Sequence, residues 1–300
     1  MEKKHQQNKQ RGARPERRTA QQRPITPKNG GAKTRPAAQE QIMAERIPRP
    51  LPDDVLIGRN AVTEALRAGR GINRVCLAEG DHSGSIPEIE ALARAQGIPV
   101  QYVARSKIEA IASGHRHQGV LAYVAPVAYV ELEDILQAAE AKGEPPFLLL
   151  LDELEDPHNL GALLRTADAT GVHGVLIPRR RSVPLTATVA KTSAGAVEYV
   201  PVARIGNIAQ TLKALKAKGF WVAGADMDGS QQYWEADLTG PLVLVVGSEG
   251  HGMSRLTKEH CDFIVQMPMV GHINSLNASV AGSILMYESL RQRLVKAKNL

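Results

Sequence analysis

Cysteine, aromatic residues and long apolar runs are all scarce in this 300-residue chain. Its two cysteines, Cys76 and Cys261, are too few and too far apart for a disulfide framework or a zinc site. No apolar run has the length of a membrane-spanning helix, and the first residues are polar and basic, unlike a signal peptide. The composition therefore predicts a globular protein of the reducing cytoplasm, with no membrane partner.

Acidic residues are scarce in the first part of the chain. Residues 1–50 hold 13 basic and 4 acidic side chains, a net charge of +9, whereas the remaining 250 residues hold 24 basic and 27 acidic ones. This segment also has almost no large apolar residues, so it cannot bury enough surface to offset the entropy lost on ordering. Residues 1–50 are predicted to be a disordered basic tail that attracts RNA phosphates, with a solubility tail as the alternative.

Strand and helix patterns alternate in residues 51–126 and predict a small α/β domain. The predicted strands are Arg74–Ala78, Gly97–Val103 and Gly119–Val124, and the predicted helices are Asn60–Arg67, Ile86–Gln96 and Lys107–Ser113. Residues 127–146 are predicted to be a linker that carries one amphipathic helix, Leu132–Ala141. The run Lys142-Gly-Glu-Pro-Pro146 ends that helix.

A second α/β domain is predicted for residues 147–300. It opens with Phe147-Leu-Leu-Leu-Leu-Asp152, a continuous apolar run typical of a parallel strand that is buried on both faces. Further strands are predicted at Gly174–Pro178, Glu198–Val202, Phe220–Ala225, Leu242–Val246 and Phe263–Met267, and a long helix runs from Leu276 to about Lys296. The pattern predicts a parallel sheet with helices on both faces.

Ligands of open parallel sheets bind at the carboxyl ends of the strands, and three predicted strand ends carry unusual residues. In the first, Asp156-Pro157 predicts the start of a helix, and Asn159 falls in its first turn, where it could face a ligand. Arg165 lies among apolar neighbours of that helix. A ligand contact and an arginine that merely extends to solvent are equal alternatives for it.

The second strand end is the glycine-rich loop Gly247-Ser-Glu249-Gly-His-Gly252. It lacks the spacing of a dinucleotide or nucleotide phosphate loop, and a carboxylate at Glu249 opposes phosphate and favours a cationic or hydroxyl-bearing ligand. In the third, Met267-Pro268 ends a strand and leads to Ser275 and Asn277, of which helix capping explains one but not easily both. The small residues that follow predict a tightly packed element or a second subunit; they are Ala278, Ala281, Gly282 and Ser283.

Together the three segments resemble the SpoU/TrmH family of RNA ribose 2′-O-methyltransferases, within the SPOUT superfamily. The matching motifs are Asp156-Pro-His-Asn159-Leu-Gly-Ala-Leu-Leu-Arg165-Thr-Ala, Leu244-Val-Val-Gly-Ser-Glu249-Gly-His-Gly-Met and Met267-Pro-Met, continued by Asn274-Ser275-Leu-Asn277-Ala-Ser-Val-Ala. Residues 55–125, with Gly58–Leu66 and His117-Gln-Gly119, resemble the family's substrate-binding domain, which is similar to a ribosomal RNA-binding protein. The arrangement is similar to the bacterial enzymes that methylate a guanosine ribose in 23S ribosomal RNA.

The resemblance implies a deep trefoil knot in residues 147–300, a homodimer, and S-adenosylmethionine as cofactor. It assigns cofactor binding to the backbone at Gly247, Met267 and Leu276. It makes Arg165 the residue that activates or orients the ribose hydroxyl. Asn159, Glu249, Ser275 and Asn277 are expected to complete the site around the ribose and the cofactor.

Three alternatives compete with this interpretation. The substrate could be transfer RNA, or the chain could be a non-catalytic RNA-binding or ribosome-assembly protein. A dehydrogenase is disfavoured because no strand, Gly-x-Gly-x-x-Gly and helix follow one another. No metal is expected, because His158, His251 and His272 lack ligand spacing. His117 could contact RNA or simply end a strand.

Overall fold

A computed structural model describes residues 49–273 and 275–298. Nearly all of the predicted basic tail, and Asn274 of the third motif, lie outside these residues. The strands are β1 (Val55–Ile57), β2 (Ile72–Ala78), β3 (Val100–Val103), β4 (Val120–Val124), β5 (Phe147–Leu151), β6 (Gly174–Pro178), β7 (Val202–Ile205), β8 (Trp221–Ala225), β9 (Gln231–Gln232), β10 (Leu242–Val246) and β11 (Phe263–Gln266). The helices are α1 (Arg59–Arg67), α2 (Ile86–Ala95), α3 (Arg105–Ala112), α4 (Leu132–Ala141), α5 (Pro157–Thr170), α6 (Ala187–Thr192), α7 (Ile208–Ala217), α8 (Arg255–His260) and α9 (Ala278–Lys298).

The described residues form two sheets. The first has the order β1-β4-β2-β3, in which β4 is antiparallel to both β1 and β2, while β3 is parallel to β2. The second has the order β7-β6-β5-β10-β8-β11-β9, and all its pairs are parallel. The predicted α/β class and parallel sheet are thus confirmed, whereas the knot and the domain boundaries stay predictions.

Strand β5 shows why the second sheet lies inside the protein. Phe147, Leu149 and Leu151 pack in the core that contains α5 and α9, and Leu148 and Leu150 pack in a separate core with α4 and α7. Successive side chains of a strand point to opposite faces, so an unbroken apolar run supplies both cores. The prediction that helices cover both faces is confirmed.

Helix α4 packs on the second sheet, although it lies in the predicted linker. Ile135 belongs to the core of α7 and β5, and a Cβ added to Gly174 would lie 2.6 Å from Ile135 atoms. Val130, just before the helix, forms a parallel bridge with Ala203 of β7. These contacts tie the segment after β4 to the edge of the second sheet.

The two sheets are joined by polar contacts as well as apolar ones. The Arg70 guanidinium lies 2.8 Å from the Glu198 carboxylate, and both side chains are buried, with 9% and 6% exposure. Burial raises the pKa of Glu198, while the charge of Arg70 acts in the opposite direction. Tyr199 also donates a hydrogen bond of 2.6 Å to Glu64 of α1.

The predicted strand Glu198–Val202 is wrong. Residues Ala196–Glu198 form a short 3-10 helix, and β7 begins only at Val202. Pro201 has no N–H to donate in a ladder, and Glu198 turns inward to meet Arg70, so neither residue suits a strand. The short strands β1 and β9 were not predicted, because three apolar residues and two glutamines show no periodicity.

No helix within the described part of the chain is long and apolar enough to cross a membrane.

Candidate active site

The three polar strand ends converge, as the sequence predicts. The Asn159 side chain, in the first turn of α5, donates from Nδ2 to Glu249 Oε1 at 2.9 Å. Asn277, at the start of α9, donates from Nδ2 to Asn159 Oδ1 at 3.0 Å and also contacts Glu249 Oε1. Three residues that lie up to 118 positions apart in sequence therefore form one hydrogen-bonded group, which we call the Asn-Glu-Asn cluster.

Local sequence explains how α5 presents Asn159. The Asp156 side chain caps the helix by accepting from His158 N at 2.9 Å, and Pro157 occupies the first helical position. Asn159 is only 4% exposed, so its amide is held away from bulk water. The capping role that the sequence gives Asp156 is confirmed, and it leaves Asn159 as the polar residue that faces the loop.

Asn277 both caps α9 and joins the cluster. Its Oδ1 accepts from Ser279 N at 3.0 Å, from Ser279 Oγ at 2.6 Å and from Val280 N at 3.2 Å. An amide can do both because its oxygen accepts while its nitrogen donates. Capping therefore accounts for the amide oxygen of this side chain, and the amide nitrogen points to Glu249.

Glu249 lies in a tight loop after β10. Ser248 and Gly252 exchange two backbone hydrogen bonds of 3.0 Å across its base. A Cβ at Gly247 would lie 2.1 Å from the carbonyl carbon of Gly252, so only glycine fits there. No hydrogen bond to Glu249 Oε2 is found among residues 49–273 and 275–298, so one carboxylate oxygen stays available to a ligand.

Arg165 lies six residues beyond Asn159 on α5, about 9 Å along the helix axis at 1.5 Å per residue. It is exposed, and no hydrogen bond or salt bridge to it is found in the part of the chain that the structure describes. The next residue, Thr166, has its Oγ1 atom 2.9 Å from Ser283 Oγ of α9. Arg165 thus lies beside the α5–α9 contact and outside the Asn-Glu-Asn cluster.

The remaining predicted residues lie next to the cluster in sequence or at the same edge of the sheet. Gly247 is buried at the end of β10, and Met267 is half-buried just after β11, on the same carboxyl edge of the sheet. Ser275 and Leu276 are exposed and precede Asn277 directly. Of the small residues in α9, Gly282 packs against Leu163 and Val246, which accounts for it within one chain.

The histidines of the three loops do not assemble a metal site. Among the described residues, no three His, Cys, Asp or Glu side chains lie together as metal ligands would. His117 is only 6% exposed, and its Nδ1 accepts from Gly119 N at 3.1 Å, so it shapes the turn before β4. Burial lowers the pKa of His117, which favours the neutral ring that this acceptor role needs.

Sequence reasoning missed a cationic group at the same edge of the sheet. Arg179, Arg180 and Arg181 follow β6 and line a cavity of about 550 Å³ together with Asp152 and Ser254, among others. Asp152 is 2% exposed, and its Oδ2 accepts from Ser254 N at 2.8 Å, which ties the end of β5 to the loop after β10. Three arginines directly after a predicted strand end were the signal that could have revealed this group.

Comparison with known proteins places both parts of the chain in one family of RNA methyltransferases. The profile of the SpoU rRNA Methylase family matches residues 146–287, and that of the RNA 2′-O ribose methyltransferase substrate-binding domain matches residues 55–130. A relative from Bacillus subtilis, named as a TrmH family tRNA/rRNA methyltransferase, is 52% identical over 240 residues, which cover 80% of this chain and 96% of the relative.

Two solved structures share the fold. An AdoMet-bound rRNA methyltransferase from Sinorhizobium meliloti is 26% identical with a TM-score of 0.65, covering 79% of this chain and 86% of that one. An RNA 2′-O ribose methyltransferase is 27% identical with a TM-score of 0.66, covering 80% and 88%. With its three motifs meeting in one cluster, this chain belongs to the SpoU/TrmH family of RNA methyltransferases.

Proposed function

We propose that this protein methylates the 2′-hydroxyl of a guanosine ribose in 23S ribosomal RNA, with S-adenosylmethionine as methyl donor. The observation that carries the proposal is the Asn-Glu-Asn cluster, which gathers Asn159, Glu249 and Asn277 at the carboxyl edge of a parallel sheet. Donor-bound relatives of the same fold support the cofactor. The substrate-binding profile over residues 55–130 and the ribosomal RNA enzyme among the neighbours support the substrate.

The residues present fit the donor. S-adenosylmethionine supplies an electrophilic methyl carbon on a positively charged sulfur. A carboxylate suits that charge, and Glu249 has an oxygen without a protein partner in the described residues. Gly247, Met267 and Leu276 belong to the loops around it, and their backbone groups would hold the donor.

The ribose is held by amide and hydroxyl groups. Asn159 and Asn277 form the fixed part, because each already has hydrogen-bond partners in the cluster. Ser275 is exposed beside Asn277, where its hydroxyl reaches the substrate. Such positioning contributes up to about 7–11 kcal/mol to lowering the barrier in favourable cases.

Arg165 acts on the substrate oxygen electrostatically. Arginine stays protonated in proteins, so it does not serve as the base that removes the hydroxyl proton. Its guanidinium holds the phosphate next to the ribose and stabilises the negative charge that develops on the 2′-oxygen. An exposed arginine without a protein partner in the described residues is free for this role.

The active form is a homodimer in the cytoplasm. Val280, Tyr287 and Leu294 are 47%, 53% and 54% exposed, and they follow one another at intervals of seven residues on α9. That interval places them on one side of a helix, as in helix pairs. The same helix contacts α5 beside Arg165, so a second copy on this stripe would bring its surface to the substrate site.

Mapping 2′-O-methyl groups across ribosomal and transfer RNA, with and without the protein, tests the proposal. Loss of one methyl group at a 23S guanosine on deletion, restored by the wild-type gene and not by an Arg165→Ala version, is the expected result. Loss confined to transfer RNA would make transfer RNA the substrate instead, which the name of the Bacillus subtilis relative also allows. No change in any RNA would favour a non-catalytic role.

A further inference from the structure

A second cavity lies in the part of the chain that forms the first sheet. Its volume is about 740 Å³, within the range of ligand pockets. Most of its wall is made of charged or hydrogen-bonding side chains, among them Arg59, Asp81, Arg105, His115, Arg116 and Gln118. We call it the junction cleft, because its His115 reaches the second sheet's helices.

One arginine fixes the walls of the junction cleft. The Arg59 guanidinium binds Asp81 Oδ2 at 3.0 Å, Ser83 O at 2.9 Å and Gln118 O at 3.0 Å. A second hydrogen bond joins the same two residues, because Gln118 Oε1 accepts from Arg59 N at 3.2 Å. The segments that carry Asp81 and Gln118 are thus tied to one side chain, which connects the two sides of the cavity.

Gln118 has a strained backbone. Its φ of 53° lies in the left-handed region, which residues other than glycine seldom adopt. Such a conformation costs free energy and persists where surrounding contacts enforce it, which is common at binding sites. In the junction cleft the contacts with Arg59 enforce it.

The cleft carries excess positive charge. Arg116 is exposed in it, and no salt bridge or hydrogen bond of its side chain is found within the described ranges. Arg105 has one carboxylate near it, Glu109 at 3.6 Å, and both are more than half exposed. Arginines of this kind are suited to phosphate oxygens, which accept paired N–H donors.

The positive surface continues toward the Asn-Glu-Asn cluster. His115 lies in the cleft wall, and its Nδ1 is 3.2 Å from Lys191 Nζ. Lys191 belongs to α6, whose next residue, Thr192, donates to Pro157 O at 3.3 Å at the start of α5. Burial lowers the pKa of His115, and the charge of Lys191 acts in the same direction.

We propose that the junction cleft binds the RNA backbone at a nucleotide other than the methylated one, through Arg116, and that Lys191 guides the strand from there to Asn159. The inference rests on the proposed function and specifies how its substrate is held. A peptide partner is disfavoured, because the free groups of the cleft are cationic and the apolar anchors of protein interfaces are missing among its lining residues.

Charge-removing variants test this path of the RNA strand from the junction cleft to Asn159. Arg116→Ala and Lys191→Ala are compared with wild type and with Arg94→Ala, which removes the same charge from a 68% exposed side chain on α2. Binding of a 23S ribosomal RNA transcript is measured at several salt concentrations, and S-adenosylmethionine binding is measured in parallel. We expect roughly tenfold weaker RNA binding for each path variant, with the salt slope reduced by about one unit and donor binding unchanged.

Arg94→Ala should bind RNA almost as wild type does. Path variants that match Arg94→Ala in affinity and in salt slope would overturn the inference. Ultraviolet cross-linking of the wild-type complex gives a readout that needs no turnover: nucleotide adducts on residues 114–118 support the cleft, and adducts only elsewhere contradict it. A wild-type protein that methylates no RNA would instead contradict the proposed function and leave the cross-linking result to judge the cleft.

Discussion

Asn277 allows its capping role to be separated from its place in the Asn-Glu-Asn cluster. Asn277→Ala removes the acceptor of three hydrogen bonds at the start of α9, and loss of such a cap costs about 1 kcal/mol. For a folded unit of this size the melting temperature should fall by about 2–4 °C. Asn277→Ser keeps a good capping oxygen, so its stability should stay close to that of wild type.

Both substitutions remove the amide that donates to Glu249 and to Asn159 Oδ1. A hydrogen bond to a charged group contributes about 1.5–3 kcal/mol. The affinity for S-adenosylmethionine should therefore fall about tenfold or more in both variants. The assays are thermal unfolding and calorimetric titration with S-adenosylmethionine. Ser279→Ala is the control, because it loses a contact to Asn277 but none to Glu249. Wild-type donor affinity and turnover in Asn277→Ser would refute the role assigned to the cluster.

Three further predictions concern other parts of the molecule. Arg165→Ala should bind the donor normally and lose turnover by a factor on the order of 100–1000, as measured by single-turnover methylation, and full turnover would exclude its role. Arg70→Met should cost about 3–5 kcal/mol in urea unfolding, because it leaves the Glu198 carboxylate buried and unpaired, and the double variant Arg70→Met/Glu198→Leu should recover most of that loss. Burial lowers the pKa of His173 below its ordinary 6.5, so the folded state takes up a proton less readily than the unfolded one and stability should fall as the pH drops below about 6.5. His173→Asn keeps an acceptor for Phe147 N, and its melting temperature should depend less on pH than that of wild type. The same dependence of melting temperature on pH in both proteins would contradict the assignment.

The regular elements of the second sheet followed from the sequence with few errors. The strands Gly174–Pro178 and Leu242–Val246 and the helix Leu132–Ala141 were predicted with the bounds that the structure shows. Their patterns are local, because a strand buried on both faces needs a continuous apolar run and an amphipathic helix repeats its apolar residues every turn. The error at Glu198 arose because its partner, Arg70, is 128 residues away in sequence.

The candidate site divides in the same way. The sequence alone determined that three polar loops follow three predicted strands. Strand ends of a parallel sheet lie at one edge, so the meeting of Asn159, Glu249 and Asn277 could be expected. Only the tertiary structure decided which atoms pair and that Arg165 stands apart from them. It alone placed Lys191 against His115, because contacts between side chains distant in sequence depend on how helices pack and leave no periodic trace in the sequence.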